Sequence, residues 1–247
     1  MRNFLILAAS AAALTLGACG AKMSDAEFAA KAKEWVMKNP QVVLDAVDAY
    51  NKKQGEDSEA QTKVAADKLY TDTLKPQLAK QILDPTIGPA NAKVTIVQYT
   101  DYNCPYCQVA NAWVFKQADD PRKDVRVIFK EMPIPSIPGH ETSPDGSRAA
   151  LAADRQGKYR EMHNALMKAR RVTDAAIEKA AKDNGIDYAK LKNDMKGPEV
   201  SARMQQISAE QEIGQLNGTP TFFINGQVLR GWSEDALNKM VDDARRS

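Results

Sequence analysis

The chain is short of the residues that most active-site chemistry requires. Its 247 residues include only three cysteines and two histidines. A closed zinc site usually takes four ligands, and neither His140 nor His163 has the spacing of a metal motif, so no resident metal is expected. No Ser-His-Asp arrangement, phosphate-binding loop or dinucleotide fingerprint is present, and no organic cofactor is expected either. Basic blocks are also missing. The 34 Lys and Arg are dispersed among 32 Asp and Glu for a formal net charge of +2, which gives no reason to expect nucleic acid. Beyond the first eighteen residues no apolar run is long enough to cross a bilayer. There is no internal repeat and no low-complexity tract.

The first eighteen residues, MRNFLILAASAAALTLGA, place Arg2 before an uncharged apolar run closed by small residues. This reads as a secretory signal peptide over residues 1–18. Leu16-Gly17-Ala18-Cys19 resembles a bacterial lipobox, in which Cys19 becomes the lipid-bearing N-terminus. Ordinary cleavage nearby, with Cys19 incidental, is the alternative. Export to the bacterial periplasm is therefore expected, with membrane attachment only through the Cys19 lipid. In that compartment disulfides persist.

Residues 19–83 read as a helical arm. Ser24 with Glu27 makes a capping box, and Phe28, Ala32, Trp35 and Val36 share one face. Asn39-Pro40 restarts the helix, Asn as a cap and Pro at the first helical position. After Gly55, Ser58 with Gln61 offers another capping box and a weaker helix to about Leu74. The apolar stripe of the arm either lies on its own domain or joins copies of the chain; a homo-oligomer is the expectation. Residues 84–92, DPTIGPANA, read as a linker.

From Lys93 the pattern changes. KVTIVQYT suits a buried central strand, and a helix follows Cys107 to about Asp119-Asp120-Pro121. DVRVIFKEM, 124–132, is a second strand, and residues 147 to about 216 are helical. PTFFING and QVLRG form a hairpin around Asn225-Gly226, with Gly218 ending the preceding helix. Ser233 caps a last helix. Strand–helix–strand followed by hairpin–helix is the thioredoxin arrangement. The fold class is thus α/β, a thioredoxin-like domain over 93–247 with an inserted helical domain, preceded by the arm.

Once Cys19 is lipidated or removed, only Cys104 and Cys107 remain, in the run QYTDYNCPYCQVANAWVF. A disulfide across two residues closes too short a loop to add much stability. A cysteine in the first turn of a helix faces unpaired backbone amides and the positive end of the macrodipole, which stabilises its thiolate. Cys104 is then the attacking thiol and Cys107, one turn on, the resolving one. Pro105 stiffens the turn. Pro220, at the mouth of the hairpin strand, is expected to be cis, which would leave the Thr219 backbone free to pair with an extended substrate. A plain helix-to-strand turn is the other reading. His163 is read as a packing or surface residue on an amphipathic helix. His140 sits in a four-proline segment that either borders a substrate groove or simply crosses to the helical block.

KVTIVQYTDYNCPYC, VRVIFKEMPI, SRAALAADRQGKYREMHNALM and GTPTFFINGQVLRGW resemble the DsbA-like thiol-disulfide oxidoreductases, in the family's order from Lys93 to the end. With the arm, the mature chain resembles the ScsC-type subgroup, whose arms form oligomers. The resemblance implies Cys104 and Cys107 as the redox pair, Pro220 as the cis-proline and Thr219 before it as a substrate-binding residue. It departs at two tuning positions. Gln98 stands where many relatives carry a buried acid that assists the second cysteine. Tyr106 makes the dipeptide Pro-Tyr where strongly oxidising members have Pro-His, so a less oxidising couple is expected.

The implied activity is formation or isomerisation of disulfides in cysteine-containing client proteins, with a membrane or periplasmic redox partner resetting the pair. The alternative is a copper-handling or chaperone-like protein whose thiols bind rather than turn over, since soft thiolates suit Cu(I).

Overall fold

The structure is a computed structural model that describes residues 23–80 and 84–247. The signal peptide and Cys19 lie outside the described residues. The chain forms two compact units that divide between Glu56 and Asp57.

The first unit is helical. Helix α1 (Asp25–Lys38) starts from Ser24, whose hydroxyl accepts the Glu27 amide while the Glu27 carboxylate takes the Ser24 amide, the reciprocal box expected. Asn39 acts differently from the sequence reading. It closes α1, its side-chain amide donating to the Trp35 carbonyl at 2.8 Å, and α2 (Gln41–Leu69) begins just after Pro40. None of the α1 residues is buried, and Phe28, Trp35, Val43, Leu44, Val47 and Tyr50 are all exposed.

Helix α2 runs through Gly55 without interruption, so the second capping box at Ser58 and Gln61 is not formed. A single interior glycine weakens a helix by about 1 kcal/mol, and the flanking residues are helix formers that keep the ladder closed. The break comes instead at Tyr70–Leu74, a π-helical turn, ahead of the short helix α3 (Lys75–Ala79). Pro76 cannot donate to the carbonyl four residues back, and its ring crowds that carbonyl.

The second unit is built on a five-stranded sheet of order β1-β3-β2-β4-β5: β1 (Thr86–Ile87), β2 (Val94–Thr100), β3 (Val125–Glu131), β4 (Thr221–Ile224) and β5 (Gln227–Arg230). The β2–β3 pair is parallel and the others are antiparallel. All seven β2 residues are buried, as an apolar run in a central strand should be. Helix α4 (Pro105–Ala118) connects β2 to β3. Five helices lie between β3 and β4: α5 (Ser143–Asp154), α6 (Tyr159–Lys168), α7 (Asp174–Asp183), α8 (Tyr188–Met195) and α9 (Pro198–Gly214). Helix α10 (Glu234–Arg246), capped by Ser233, closes the chain.

Alternation along the strands divides the core. Val94, Ile96, Val127 and Phe129 join α4, α5–α8 and α10 in one cluster. Val97, Tyr99, Ile128 and Phe223 pack on the other side with Leu69, Leu74 and Ile207.

The structure differs from two further expectations. Residues 84–92 are not a free linker, because β1 pairs with β3 in register Thr86 to Ile128. Asp84 is buried and ion-paired to Lys130 at 2.7 Å and to Arg203. Gly218 does not end α9. Gln215 does, in the left-handed conformation at φ 47°, and the glycine beside it, Gly214, serves packing instead: a Cβ there would lie 2.6 Å from Leu69 Cδ2.

The hairpin turns at Asn225-Gly226 with both residues at positive φ, the two-residue geometry that such a pair favours. Gly226 also lies against Tyr70, where a Cβ would come within 2.5 Å of Cε1. Gly226→Ala is therefore expected to lower unfolding stability by about 1–3 kcal/mol, read as a lower urea midpoint at unchanged slope.

Candidate active site

Cys104 is the N-cap of α4, with extended backbone, and Pro105 occupies the first helical position. Strand β2 ends one residue before Asp101, so the turn Asp101-Tyr102-Asn103 delivers both thiols to the end of the central strands. The Cys104 amide bonds back to the Asp101 carbonyl at 3.2 Å, and the Cys107 and Gln108 amides both return to the Cys104 carbonyl at 3.1 Å. Both thiols are free and buried. Cys107 is fully enclosed, Cys104 remains 5% exposed, and Tyr106 and Val109 beside it are 63% and 58% exposed. The site thus has one slightly exposed cysteine, with exposed Tyr106 and Val109 following it on the helix, and one fully enclosed.

Electrostatics separates the two sulfurs. Cys104 is lowered to about 6, first by a hydrogen bond from Cys107, against the opposing effect of burial; the Thr219 side chain and the Cys107 and Tyr106 amides add to the lowering. These groups all donate to a thiolate. Cys107 is pushed well above the ordinary thiol range, first by burial and then by Cys104.

The Thr219–Pro220 peptide is cis. Thr219 lies beside the thiols, and the protonated Cys104 Sγ donates to its carbonyl at 3.2 Å. That contact favours the thiol, whereas the Thr219 hydroxyl and the helix amides favour the thiolate. Cys104, Pro105, Tyr106, Cys107, Thr219 and Pro220 are therefore brought together. Gln98 lies below them on β2, 1% exposed, with neither amide atom paired among the described residues.

Several residues that fix this geometry escaped sequence reading. The Asp101 carboxylate, fully buried, accepts the Asn103 and Ile134 amides at 2.8 and 2.9 Å and the Ser143 hydroxyl at 2.6 Å; His140 Nδ1 lies 3.0 Å away. One side chain thus clamps the CxxC turn, the four-proline segment and the start of α5. The available signal was the Asp at a strand end two residues before Asn103, an Asx turn in the making. Asn103 bonds to Thr142 and to the Val172 amide, tying the same turn to the helical insertion. His140 is thus buried as a fastener of the crossover. His163 is fully buried rather than on the surface.

Asp101→Ala would strand two amides, a hydroxyl and an imidazole in the interior. The expected loss is about 3 kcal/mol or more, measured by urea unfolding of the reduced protein.

Among the described residues no group of three or more His, Cys, Asp and Glu is placed to hold a metal ion. No helix there is long and apolar enough to cross a membrane.

Comparison with known proteins agrees with this geometry. A thioredoxin family model matches residues 80–243. A thioredoxin-like oxidoreductase from Silicibacter pomeroyi is 37% identical, over 66% of this chain and 93% of that one, with a TM-score of 0.60. The catalytic domain of Proteus mirabilis ScsC is 25% identical over 73% of this chain and 99% of that one, TM-score 0.64. A periplasmic thioredoxin-like protein from Salmonella enterica is 26% identical over 66% of this chain and 91% of that one, TM-score 0.56.

Curated relatives include the Na(+)/H(+) antiporter NhaA 3 of Salinispora tropica, 30% identical over 64% of this chain. The chain spans about a quarter of that protein's length (24%), a match to one segment that carries no antiporter function across. A central strand leading into the Cys104–Cys107 turn, Thr219-cis-Pro220 beside it and a five-helix insertion agree with these findings: the chain belongs to the thioredoxin family, among the DsbA-like thiol-disulfide oxidoreductases of ScsC type.

Proposed function

We propose that the protein exchanges disulfides with cysteines of exported client proteins, forming or isomerising their bonds through Cys104 and Cys107. The observation that carries this reading is the asymmetry of the pair. The accessible sulfur is lowered to about 6 and the enclosed one is held well above the usual thiol range. One thiol is ionised and reachable at neutral pH, and the other can act only on what the first has bound.

In oxidation, a client thiolate attacks Cys104 Sγ of the disulfide form. The Cys104–Cys107 bond breaks and Cys107 leaves with the electron pair. A second client thiolate then attacks the client sulfur of the mixed disulfide and releases Cys104 as the thiolate. Two electrons have passed to the pair, which a redox partner must remove. In isomerisation the reduced Cys104 attacks a client disulfide first. Exposed Tyr106 and Val109, with the Thr219 backbone opposite, offer an apolar rim and a strand edge for an unfolded segment.

The arm, residues 19–83, is the proposed oligomerisation region; its exposed Phe28, Trp35, Leu44 and Tyr50 support that role. Several active sites presented to one misfolded client would suit isomerisation. The signal-like residues 1–18, the lipobox at Cys19 and the periplasmic Salmonella relative support export, with lipid anchoring through Cys19. Cys107→Ser tests the reading. It should accumulate mixed disulfides with client proteins, whereas a thiol-based metal carrier would only lose affinity.

A further inference from the structure

On the sheet face that carries Cys107 there is a set of buried polar side chains that the steps above leave unused. Glu131, the last residue of β3, is fully buried. Its Oε1 accepts hydroxyl protons from Tyr102 at 2.8 Å and from Tyr159 at 2.6 Å, while Oε2 has no partner among the described residues. Thr100 is its neighbour across the β2–β3 register. The Thr100 hydroxyl, both Gln98 amide atoms and the Ser147 hydroxyl are likewise buried and unpaired. With a side-chain period of two, Gln98, Thr100 and Glu131 point to the same side as Ile96 and Phe129, which pack in one cluster with Cys107.

The set reaches α4 from a second direction. His163 Nε2 is 3.1 Å from Asn111 Oδ1, and Asn111 sits one turn beyond Cys107 on the same helix face. His163 Nδ1 is 2.8 Å from the Tyr102 hydroxyl and 3.1 Å from that of Tyr159.

Buried polar atoms without protein partners call for water, and here they accompany a buried carboxylate on the sheet face that carries Cys107. That thiol must lose a proton before it can attack. Its enclosure makes the loss difficult, and Gln98, on the same face of the sheet, holds an amide that cannot accept it.

We propose that Glu131 is the proton acceptor for Cys107, the proton crossing through water held by Thr100 and Gln98. Glu131 touches neither sulfur and acts through that water. The Cys107 Sγ–H proton passes to Oε2 as the thiolate attacks Cys104 Sγ. The Cys104–Cys107 bond forms, the Cys104–client bond breaks, and the client sulfur leaves with the electron pair. In the opposite direction the protonated carboxyl returns its proton to Cys107. Tyr102 and Tyr159 are held well above the usual phenol range, first by burial and then by the charge of Glu131, so they remain donors to the carboxylate. The titratable groups in contact with Glu131 are Tyr102 from the turn before α4 and Tyr159 and His163 from α6; its register neighbour on β2 is the uncharged Thr100.

The inference rests on the redox reading of the pair, and one experiment separates the two. Cys104 is loaded with glutathione, and release of glutathione by Cys107 is followed from pH 5 to 9. Glu131→Gln, which keeps an acceptor for both tyrosines, should slow release about 10- to 100-fold at pH 7 and less at pH 9, where hydroxide can take the proton, with alkylation of Cys104 unchanged. Adding Gln98→Glu should restore the rate. A profile that superimposes on that of the wild type overturns the proposal. So does a uniform slowing at every pH that Gln98→Glu does not repair. If the unaltered protein releases no glutathione, the redox reading itself fails. Should Glu131→Gln not fold, Tyr159→Phe decides. Losing a donor to the carboxylate must change the rate of glutathione release at pH 7 while alkylation of Cys104 stays unchanged; an unchanged release rate overturns the proposal.

Discussion

Cys104→Ser abolishes disulfide exchange with glutathione and with scrambled clients, a loss of about 10³-fold or more, whereas Cys107→Ser retains the first half of the reaction and stalls there. The difference follows from position. Cys104 caps α4 with its sulfur at the rim of the fold, and Cys107 is enclosed beneath it. A client sulfur can reach the first and not the second. With Cys104 removed, the remaining thiol is both inaccessible and protonated. With Cys107 removed, the mixed disulfide forms and lacks the nucleophile that would resolve it. Mass spectrometry of the stalled species should find the client on Cys104. Equal loss in both variants, with no trapped species, would contradict the assigned roles.

The second large effect is in pH. Alkylation of reduced Cys104 by iodoacetamide should rise along a single titration with its midpoint near the value of about 6. At pH 7 the thiol is then about nine-tenths ionised, where an ordinary thiol near 8.5 is a few per cent ionised. In Cys104→Ser, Cys107 should stay unmodified until well above pH 9, because burial holds its proton.

The same shifts set the sign of the stability change. Cys104 has a folded value below its unfolded one, so its contribution to the reduced protein is fully present above about 8.5 and lost as pH falls through about 6. Cys107 is displaced upward, so above about 8.5 the unfolded chain ionises it and the folded chain does not, which works against the reduced form. The reduced protein should therefore gain on the oxidised one from pH 6 towards 8 and lose ground again above about 9. Urea midpoints of the two forms across that range check the curve.

The central strands, the CxxC helix, the hairpin and the last helix were legible because their signals are local: a β-branched run, a helix entered at Pro105, an Asn-Gly pair, a Ser cap with acids after it. The Cys104–Cys107 pair was legible for the same reason. What escaped depends on partners far along the chain. Strand β1 exists because β3 offers an edge and because Lys130 and Arg203 hold Asp84, none of which residues 84–92 reveal. Helix α9 ends at Gln215, which takes the left-handed conformation without being glycine, so the Gly218 signal does not mark the end. Asp101 carries no catalytic motif, and its importance lies in the groups from three segments that converge on it. His163 was placed correctly on an amphipathic helix, but its tyrosine and asparagine partners come from elsewhere in the fold.

A thiolate held near 6 without an imidazole in the dipeptide has to draw on Cys107, Thr219 and the helix amides. This stabilises the reduced form and so makes the disulfide oxidising, while the missing imidazole keeps the couple short of the most oxidising members. The central claim is that Cys104 and Cys107 form a reversible couple that takes electrons from client thiols. It is tested most directly by equilibrating protein carrying Cys19→Ser with glutathione and measuring the fraction oxidised. The account predicts one two-electron transition at or above about −180 mV and short of about −120 mV. A couple near about −270 mV, or no reversible transition at all, would contradict it.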